Sequence, residues 1–174
     1  TSSATTPSSY VNLTGNNYAI FLNHNLNSNV SYNSITSATT TLTATLGGIL
    51  QNFSVTAALG TTVTNTTLNN NTVTLSRSAA GSSIGLNNQG VTSVGTASSI
   101  TMNNNQLLNT SITITGTSSV TGVTNLSVTG VLNMNGNTVR GISSAASAGG
   151  ITGVSNSGAV ITSINMDNNK CGDA

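Results

Sequence analysis

One pentapeptide of the chain has the spacing of a catalytic motif: Gly81-Ser82-Ser83-Ile84-Gly85 matches G-x-S-x-G. In α/β-hydrolases this motif presents a nucleophilic serine on a sharp turn between a strand and a helix. No helix signal follows the motif in this sequence, and Ser and Gly are so common that a chance match is expected. We interpret the match as a product of composition, and we predict that the protein is not an enzyme.

The only imidazole belongs to His24, and its ordinary pKa would suit a general base. A catalytic base also needs a nucleophile and an orienting acid, but both acids, Asp167 and Asp173, lie near the other end of the chain. Because His24 lies between two asparagines, we interpret it as a polar surface residue.

The two acids flank Lys170 and Cys171, which raises the question of a metal site. Their spacing does not fit the calcium loop of an EF-hand, and no G-G-x-G-x-D calcium repeat occurs. We therefore predict no bound metal and no cofactor. Cys171 is the only cysteine, so it cannot form a disulfide within one chain. Two interpretations stay open: a free thiol near the chain end, or an interchain disulfide in a symmetric oligomer.

The sequence also contains candidate glycosylation sites, each an Asn two residues before Ser or Thr. They are Asn12, Asn29, Asn52, Asn65, Asn70, Asn109 and Asn125. They matter only where the protein meets glycosyltransferases.

Composition excludes several classes of protein. Thr (31), Ser (26) and Asn (27) together supply 84 of the 174 residues, whereas charged residues make up 3% and the net charge is +1. Three scattered cations cannot bind a nucleic acid backbone, and no apolar run is long enough for a membrane-spanning helix. Hydrophobic residues make up 36% and the mean hydropathy is +0.10, which is too apolar for the typical disordered chain. We expect the chain to fold or assemble.

A repeat organises the sequence from about residue 68 onward. Met102, Met134 and Met166 recur with a constant 32-residue spacing, and each lies in an Asn-rich segment between apolar positions. The resulting candidate core residues are Ile100, Met102, Leu107, Leu132, Met134, Val139, Ile164 and Met166. Similar segments begin at Ile84 and Leu68, in even 16-residue steps before Ile100. We therefore predict a 16-residue unit that is partly doubled to 32.

The local pattern within the repeat favours short strands. Thr, Val and Ile are abundant, and strong helix formers are nearly absent. Polar and apolar residues alternate in 41–46, 72–75 and 111–115. Asn-Gly and Asn-Asn pairs tolerate positive φ, so Asn135-Gly136 and its counterparts are predicted turns. We predict an all-β fold.

The N-terminal third differs from the repeat, because all five aromatic residues, the only His and the only Pro lie in the first 53 residues. We predict an N-terminal aromatic-containing β region, an anchor or cap, over residues 1–60 and a β-repeat shaft over 61–174. Since the chain begins with Thr1 and not Met, we expect a processed protein or part of a longer one.

A 16-residue unit with a few small apolar side chains buries too little surface to order its own backbone. Neighbouring units must stack on it, either within one chain as a β-solenoid or between chains as a symmetric fibre such as a triple β-spiral. We expect no long core within one copy, and on that ground we predict a homotrimer.

The segment Leu132-Asn-Met-Asn-Gly-Asn-Thr-Val-Arg-Gly-Ile142 resembles the L-x-M-N-G-N-x-I-x-x-L units of bacteriophage tail fibres and of fibre-like proteins of large DNA viruses. The 16-residue spacing is also similar to that of triple β-spiral shafts in viral fibres. The resemblance covers about residues 68–171 and implies a trimeric, elongated virion protein.

We therefore expect a structural fibre or spike component at the virion surface or outside the cell, with host attachment as an associated role. Its partners would be further copies of itself, other capsid or surface proteins, and a host receptor or glycan; no nucleic acid and no membrane span are expected. The alternative is a secreted bacterial or archaeal filament or adhesin subunit of β-solenoid type. A distant alternative is an ice-binding protein, although the Thr-x-Thr motifs do not recur at one position of a 16-residue unit.

Overall fold

The computed structural model describes residues 16–23, 25–108, 111–112, 119–142 and 150–172. These ranges contain seventeen β-strands and no helix, which confirms the predicted all-β class. The described part accordingly contains no helix that could cross a membrane.

Fifteen of the strands form three parallel sheets of five strands each. Sheet 1 contains Asn17–Asn23 (β1), Leu46–Ala58 (β4), Ser83–Ser93 (β8), Val120–Asn125 (β12) and Ile151–Asn156 (β15). Sheet 2 contains Asn27–Asn29 (β2), Asn65–Thr67 (β5), Ser99–Thr101 (β9), Thr129–Asn133 (β13) and Val160–Asn165 (β16). Sheet 3 contains Ser34–Thr36 (β3), Thr72–Thr74 (β6), Gln106–Leu108 (β10), Thr138–Arg140 (β14) and Lys170–Cys171 (β17). Two further strands, Ser76–Arg77 (β7) and Ser111–Ile112 (β11), pair with each other.

The chain passes through sheets 1, 2 and 3 in the same order five times, and we call each pass a rung. Within each sheet, every strand pairs in parallel with the equivalent strand of the next rung. Rung 1 contains β1–β3, rung 2 contains β4–β7, rung 3 contains β8–β11, rung 4 contains β12–β14 and rung 5 contains β15–β17.

The pairing register sets the spacing between equivalent residues. In sheet 2, Leu132 pairs with Ile100 on one side and with Ile164 on the other, so the last three strands of this sheet follow the 32-residue period. The earlier offsets in sheet 2 are longer. Ser28 pairs with Thr66, an offset of 38, and Thr66 pairs with Ile100, an offset of 34.

The predicted 16-residue subdivision does not match this register. Ile84 lies in sheet 1, where it pairs with Gly47 and Thr121, whereas Ile100 lies in sheet 2. Leu68 follows β5 in the second rung, at the position that Met102 occupies in the third. The two Asn-rich halves of a 32-residue period therefore lie on different sheets and are not copies of one unit.

The three predicted strands have different outcomes. Thr72–Thr74 is β6, as the alternation predicted. The prediction for residues 41–46 is wrong, because 41–45 are irregular and β4 begins at Leu46. This segment connects sheet 3 to sheet 1, and the guanidinium of Arg77 donates a hydrogen bond to its Ala44 carbonyl. Of the third predicted strand, 113–115 lie outside the described residues and 111–112 form β11.

The main apolar core of the described residues lies between the three sheets and runs through all the rungs. Its fully buried members include Ile49, Leu86, Leu107, Val123 and Leu132. A smaller cluster of Phe53, Val91 and Val94 lies where β4 and β8 extend beyond the rest of sheet 1. One copy therefore encloses a core by itself, and the premise from which the homotrimer was predicted is wrong. The boundary predicted near residue 60 falls between β4 and β5, within rung 2.

Candidate functional site: the asparagine corner and the two end rungs

Each rung connects sheet 2 to sheet 3 through four residues, and we call this connection the Asn corner. The five corners are 30–33, 68–71, 102–105, 134–137 and 166–169. The first position is apolar, and its side chain joins or packs against the core in every rung: Val30, Leu68, Met102, Met134 and Met166. The methionine spacing noted in the sequence therefore marks one column of the core.

The third position of each corner has positive φ: 61° at Tyr32, 56° at Asn70, 55° at Asn104, 65° at Gly136 and 57° at Asn168. Gly reaches this region without steric cost, and Asn does so more readily than most residues. The turn predicted at Asn135-Gly136 and its counterparts is thus a left-handed residue at the third corner position.

The fourth position is Asn in all five rungs, and these side chains form a continuous ladder. Asn105, in the middle rung, is fully buried. Its Nδ2 donates to the Leu68 carbonyl at 2.6 Å and to Asn137 Oδ1 at 3.1 Å. Its Oδ1 accepts from the backbone N and the Nδ2 of Asn71, both at 3.0 Å. Every polar atom of the amide is satisfied, as a buried amide requires.

A second ladder runs through the second corner position in the opposite direction. The backbone N of Asn103 donates to Asn69 Oδ1 at 2.7 Å, and that of Asn135 donates to Asn103 Oδ1 at 2.8 Å. The backbone N of Asp167 continues the series onto Asn135 Oδ1 at 2.8 Å. Together the two ladders fix the length of each corner and its position relative to the corners of the neighbouring rungs.

Sheet 1 lies close to sheet 3 along a column of glycines: Gly48, Gly85, Gly122 and Gly153. A Cβ on Gly122 would lie 2.4 Å from Val139 Cγ2 and 2.5 Å from the Gly153 carbonyl oxygen. Side chains of sheet 3 therefore pack directly against the backbone of sheet 1. A third amide ladder follows along sheet 1, where Asn88 Nδ2 donates to Asn125 Oδ1 and Asn125 Nδ2 to Asn156 Oδ1, both at 2.8 Å.

Arg77 is the most deeply buried charged side chain among the described residues, with 1% of its surface exposed. Its Nη2 donates to the Ala44 carbonyl at 2.5 Å, while Nε and Nη1 have no hydrogen-bond partner among the described residues. Burial lowers the pKa of Arg77 below its ordinary value. The guanidinium also packs against Gly81, where any side chain would collide with it. We assign Arg77 a structural role in holding residues 40–45 against rung 2.

The predicted core residues divide by rung. Ile100, Met102, Leu107, Leu132, Met134 and Val139 are buried. Ile164 in the last rung is 54% exposed, and Met166 is half-buried against the core. The reason is that β16 and its corner have a neighbouring rung on one side only.

The candidate residues that the structure describes lie in different rungs, with Ser83 in rung 3 and Asp167, Lys170 and Cys171 in rung 5. Ser83 is fully buried inside β8, and that strand continues to Ser93, so the strand–turn–helix geometry of a nucleophile elbow is absent from this segment. His24 and Asp173 lie outside the described residues. Asp167, Lys170 and Cys171 are exposed in the last rung, with Cys171 a free thiol. In the part of the chain that the structure describes, no group of His, Cys, Asp or Glu is arranged to hold a metal ion.

The candidate glycosylation sites differ in accessibility. Asn29 and Asn65 are exposed, and Asn52 and Asn70 are half-buried. Asn125 is fully buried with its Nδ2 bonded in the ladder of sheet 1, so a glycan there is incompatible with this fold. Asn12 and Asn109 lie outside the described residues.

Sequence reasoning did not identify the fourth-position Asn column. The signal was present, since an Asn follows each of Leu68, Met102, Met134 and Met166 by three residues. These asparagines were interpreted as turn residues and not as a column of buried amides that hydrogen-bond to one another. Comparison of the chain with protein-family models, with curated proteins and with solved structures found no match.

Proposed function

We propose that the chain is a structural segment of a fibre or filament on the surface of a virion or cell, built as a single-chain β-solenoid. The observation that carries this proposal is the repeated rung, in which five passes of one chain share sheets, corners and a continuous core. Such an arrangement makes a rigid scaffold whose size is set by the number of rungs.

The surface chemistry supports a structural role. Apart from buried Arg77, the charged side chains of the described residues are Arg140, Asp167 and Lys170, and all three lie in the last two rungs. The remaining outward positions are dominated by uncharged Asn, Ser and Thr, which bond to one another across rungs, as Asn65 Nδ2 does to Asn27 Oδ1 at 3.2 Å. The described surface offers no concentrated charge for an ionic ligand.

Pairing within one chain supports the solenoid over the triple β-spiral that the sequence resemblance implied. In a triple β-spiral the apolar stripe is completed by other chains, whereas here the core residues of each rung pack on those of the same chain. The virion setting and host attachment stay part of the proposal through the resemblance alone.

The ice-binding alternative gains no support. The Thr-x-Thr of β6 pairs with Ser34 and Thr36 on one side and with Gln106 on the other, so sheet 3 does not present a continuous Thr array. A regular two-column array would be needed to match a crystal surface over several rungs.

A cysteine pair across two rungs tests the solenoid. Gln106 and Thr138 are direct neighbours in sheet 3, and adjacent strands lie within the Cα separation that a disulfide tolerates. With Cys171→Ser as background, we expect Gln106→Cys/Thr138→Cys to oxidise within one chain and to run as a monomer on a denaturing gel. The control Gln106→Cys/Asn133→Cys, whose partners are out of register, should stay reduced. Interchain dimers or trimers in the first variant would contradict the solenoid.

The surface location has its own test. Immunogold labelling of the source virions or cells with an antibody to this chain should decorate extended structures outside the particle or envelope. Label confined to the interior would contradict a surface fibre, whatever the fold.

A further inference from the structure

Most of the large apolar side chains that are exposed to solvent lie in the two end rungs and not in the three rungs between them. Eight large apolar side chains are exposed among the described residues, and six of them lie in rung 1 or rung 5. Rung 1 contributes Phe21, Leu26 and Tyr32, and rung 5 contributes Ile151, Ile161 and Ile164. In the middle rungs the equivalents of Ile164, such as Ile100 and Leu132, are buried by the rung above.

The end rungs also leave hydrogen-bonding groups without a described partner, and the groups at the two ends are complementary. In the fourth-position ladder each backbone N donates to the Asn Oδ1 of the following rung, as Asn137 N does to Asn169 Oδ1 at 2.9 Å. Asn169 N, in the last rung, has no such acceptor among the described residues. Asn33 Oδ1, in the first rung, receives no donor from a described residue, although Asn33 Nδ2 donates to Asn71 Oδ1 at 2.9 Å.

The backbone follows the same rule. At the first corner position the amide donates to the following rung, as Met134 N does to the Asn165 carbonyl at 2.8 Å. Met166 N therefore matches the carbonyl of Asn29, the rung 1 residue equivalent to Asn165. After the corner the direction reverses, as Lys170 N donates to the Asn137 carbonyl at 2.8 Å. Ser34 N of rung 1 accordingly matches the carbonyl of Asn169.

We propose that rung 5 of one copy receives rung 1 of a second copy, so that the chains stack head to tail with the three sheets and the Asn ladder continuous across the junction. The occupant is a second copy because rung 1 supplies an acceptor or donor at each of these positions that rung 5 leaves open, in the register that joins rungs within the chain. The same contact covers apolar side chains such as Ile164 and Ile151, whose equivalents in the middle rungs are buried. This inference rests on the proposed single-chain solenoid and names the partner of its end surfaces.

Dimensions favour the same conclusion. Neighbouring rungs are separated by the distance between paired strands, about 4.8 Å, so five rungs span only roughly 20–25 Å along the stacking axis. A single copy is therefore a short segment and not a fibre. A fibre of this protein requires many copies, and a head-to-tail contact does not close on itself, so it produces an open filament.

The test is sedimentation velocity of the full chain over a concentration series, with electron microscopy of the same samples. We expect an average mass that rises with concentration without a fixed end point, and filaments about one chain wide. A monomer across the series, or a closed oligomer of fixed mass, would overturn the inference.

Two variants block one end each. Ser34→Pro removes an amide hydrogen that bonds to no described residue, so rung 1 keeps its internal contacts and loses a junction donor. Ile161→Lys/Ile164→Lys places charge on the exposed apolar side chains of rung 5. Each variant alone should stay monomeric, with at least a tenfold weaker association than the parent chain. Leu126→Lys, at an exposed apolar residue on the side of rung 4, is the matched control and should associate like the parent.

Mixing the variants distinguishes head-to-tail contact from every symmetric mode. The Ser34→Pro copy retains a competent rung 5, and the Ile161→Lys/Ile164→Lys copy retains a competent rung 1, so the mixture should give one-to-one dimers and stop there. Absence of these dimers, with circular dichroism showing both variants folded, would overturn the inference. If the cysteine pair in sheet 3 still closes within one chain, the solenoid survives that failure.

Discussion

The Asn corner joins two strands within a rung, whereas the return segment leads from sheet 3 of one rung to sheet 1 of the next, and the two connections differ in regularity. Every corner has four residues, a left-handed third position and an Asn at the fourth. The return segments, 37–45, 75–82, 109–119 and 141–150, have nine, eight, eleven and ten residues. The connection has a constant length where its buried Asn side chain must hydrogen-bond to the equivalent Asn of both neighbouring rungs. Where no such ladder is described, the length varies.

The largest expected effect on stability comes from changing the number of residues in an Asn corner. Deleting Asn105 shortens one corner and shifts every following strand by one residue, which sends core side chains outward. We expect loss of the cooperative thermal transition, since the stability of a typical domain is only about 5–15 kcal/mol.

Deletion of residues 100–131 is the matched control for that shift. It removes one whole 32-residue period and joins Ser99 to Leu132, which has the pairing position of Ile100. We expect a folded protein one rung shorter, with a cooperative melt. If this deletion unfolds the protein while the Asn105 deletion is tolerated, the rung is not the unit of the fold.

A substitution within the ladder should have the next largest effect. Asn105→Ala leaves the backbone N of Asn71 without its acceptor and the Leu68 carbonyl without its side-chain donor, and it removes one of the two hydrogen bonds of Asn71 Nδ2, all in the buried interior. Buried groups that lose their partners cost about 1–3 kcal/mol each, so we expect a loss of roughly 3–5 kcal/mol in the free energy of unfolding. Denaturant titration measures it. Asn52→Ala, at a half-buried Asn of sheet 1 with longer hydrogen bonds, should cost less than about 1 kcal/mol.

The contrast between the two connections also explains what could be predicted from the sequence. The methionines at 102, 134 and 166 recur evenly because the last three corners are joined by connections of equal total length. The first two rungs were not identified as copies, since the longer strands β4 and β8 and the longer connections from sheet 1 to sheet 2 that follow them raise the offsets to 38 and 34. A single chain has no signal that identifies such insertions, so β1–β3 were interpreted as a separate N-terminal region.

The apolar core that one copy encloses was not predicted from the sequence, for a related reason. Ile84 and Ile100 have similar neighbours, but they belong to different sheets around the interior. If they are treated as copies of one unit, the predicted repeat has 16 residues and not 32. Such a unit contains too few apolar residues to enclose a core. The glycine column of sheet 1, which brings the sheets together, was visible only as Thr-Gly-Val in 121–123 and 152–154.

A smaller effect is expected at the left-handed corner position. Asn104 has φ of 55° and an exposed side chain, so Asn104→Gly should leave stability nearly unchanged. Asn104→Val forces a β-branched residue into that region, at a cost of about 1–2 kcal/mol. Paired denaturant titrations compare the two. An equal effect of both substitutions would show that the Asn side chain, and not its backbone conformation, is what the corner requires.

The smallest effect should follow a change in the return segment. Three Gly/Ser residues inserted after Ala80, which is exposed, add length to an already variable connection. The entropic cost of a longer loop grows slowly, and we expect less than about 1 kcal/mol. The same insertion after Asn104 should abolish folding. Thermal melts of both variants make the comparison, and similar melting temperatures would mean that the two connections are equally tolerant.

The orientation of the hydrogen bonds between rungs determines how the molecule responds to force. Backbone bonds in each sheet join strands of neighbouring rungs, so they point along the stacking axis. Tension along that axis loads one row of bonds at a time, and the terminal rung peels away before its neighbour is strained. Each 32-residue rung that is released lengthens the chain by roughly 110 Å. Force across the axis instead shears all three sheets together. We therefore expect the proposed filament to yield in steps under tension along its axis and to resist force applied across it.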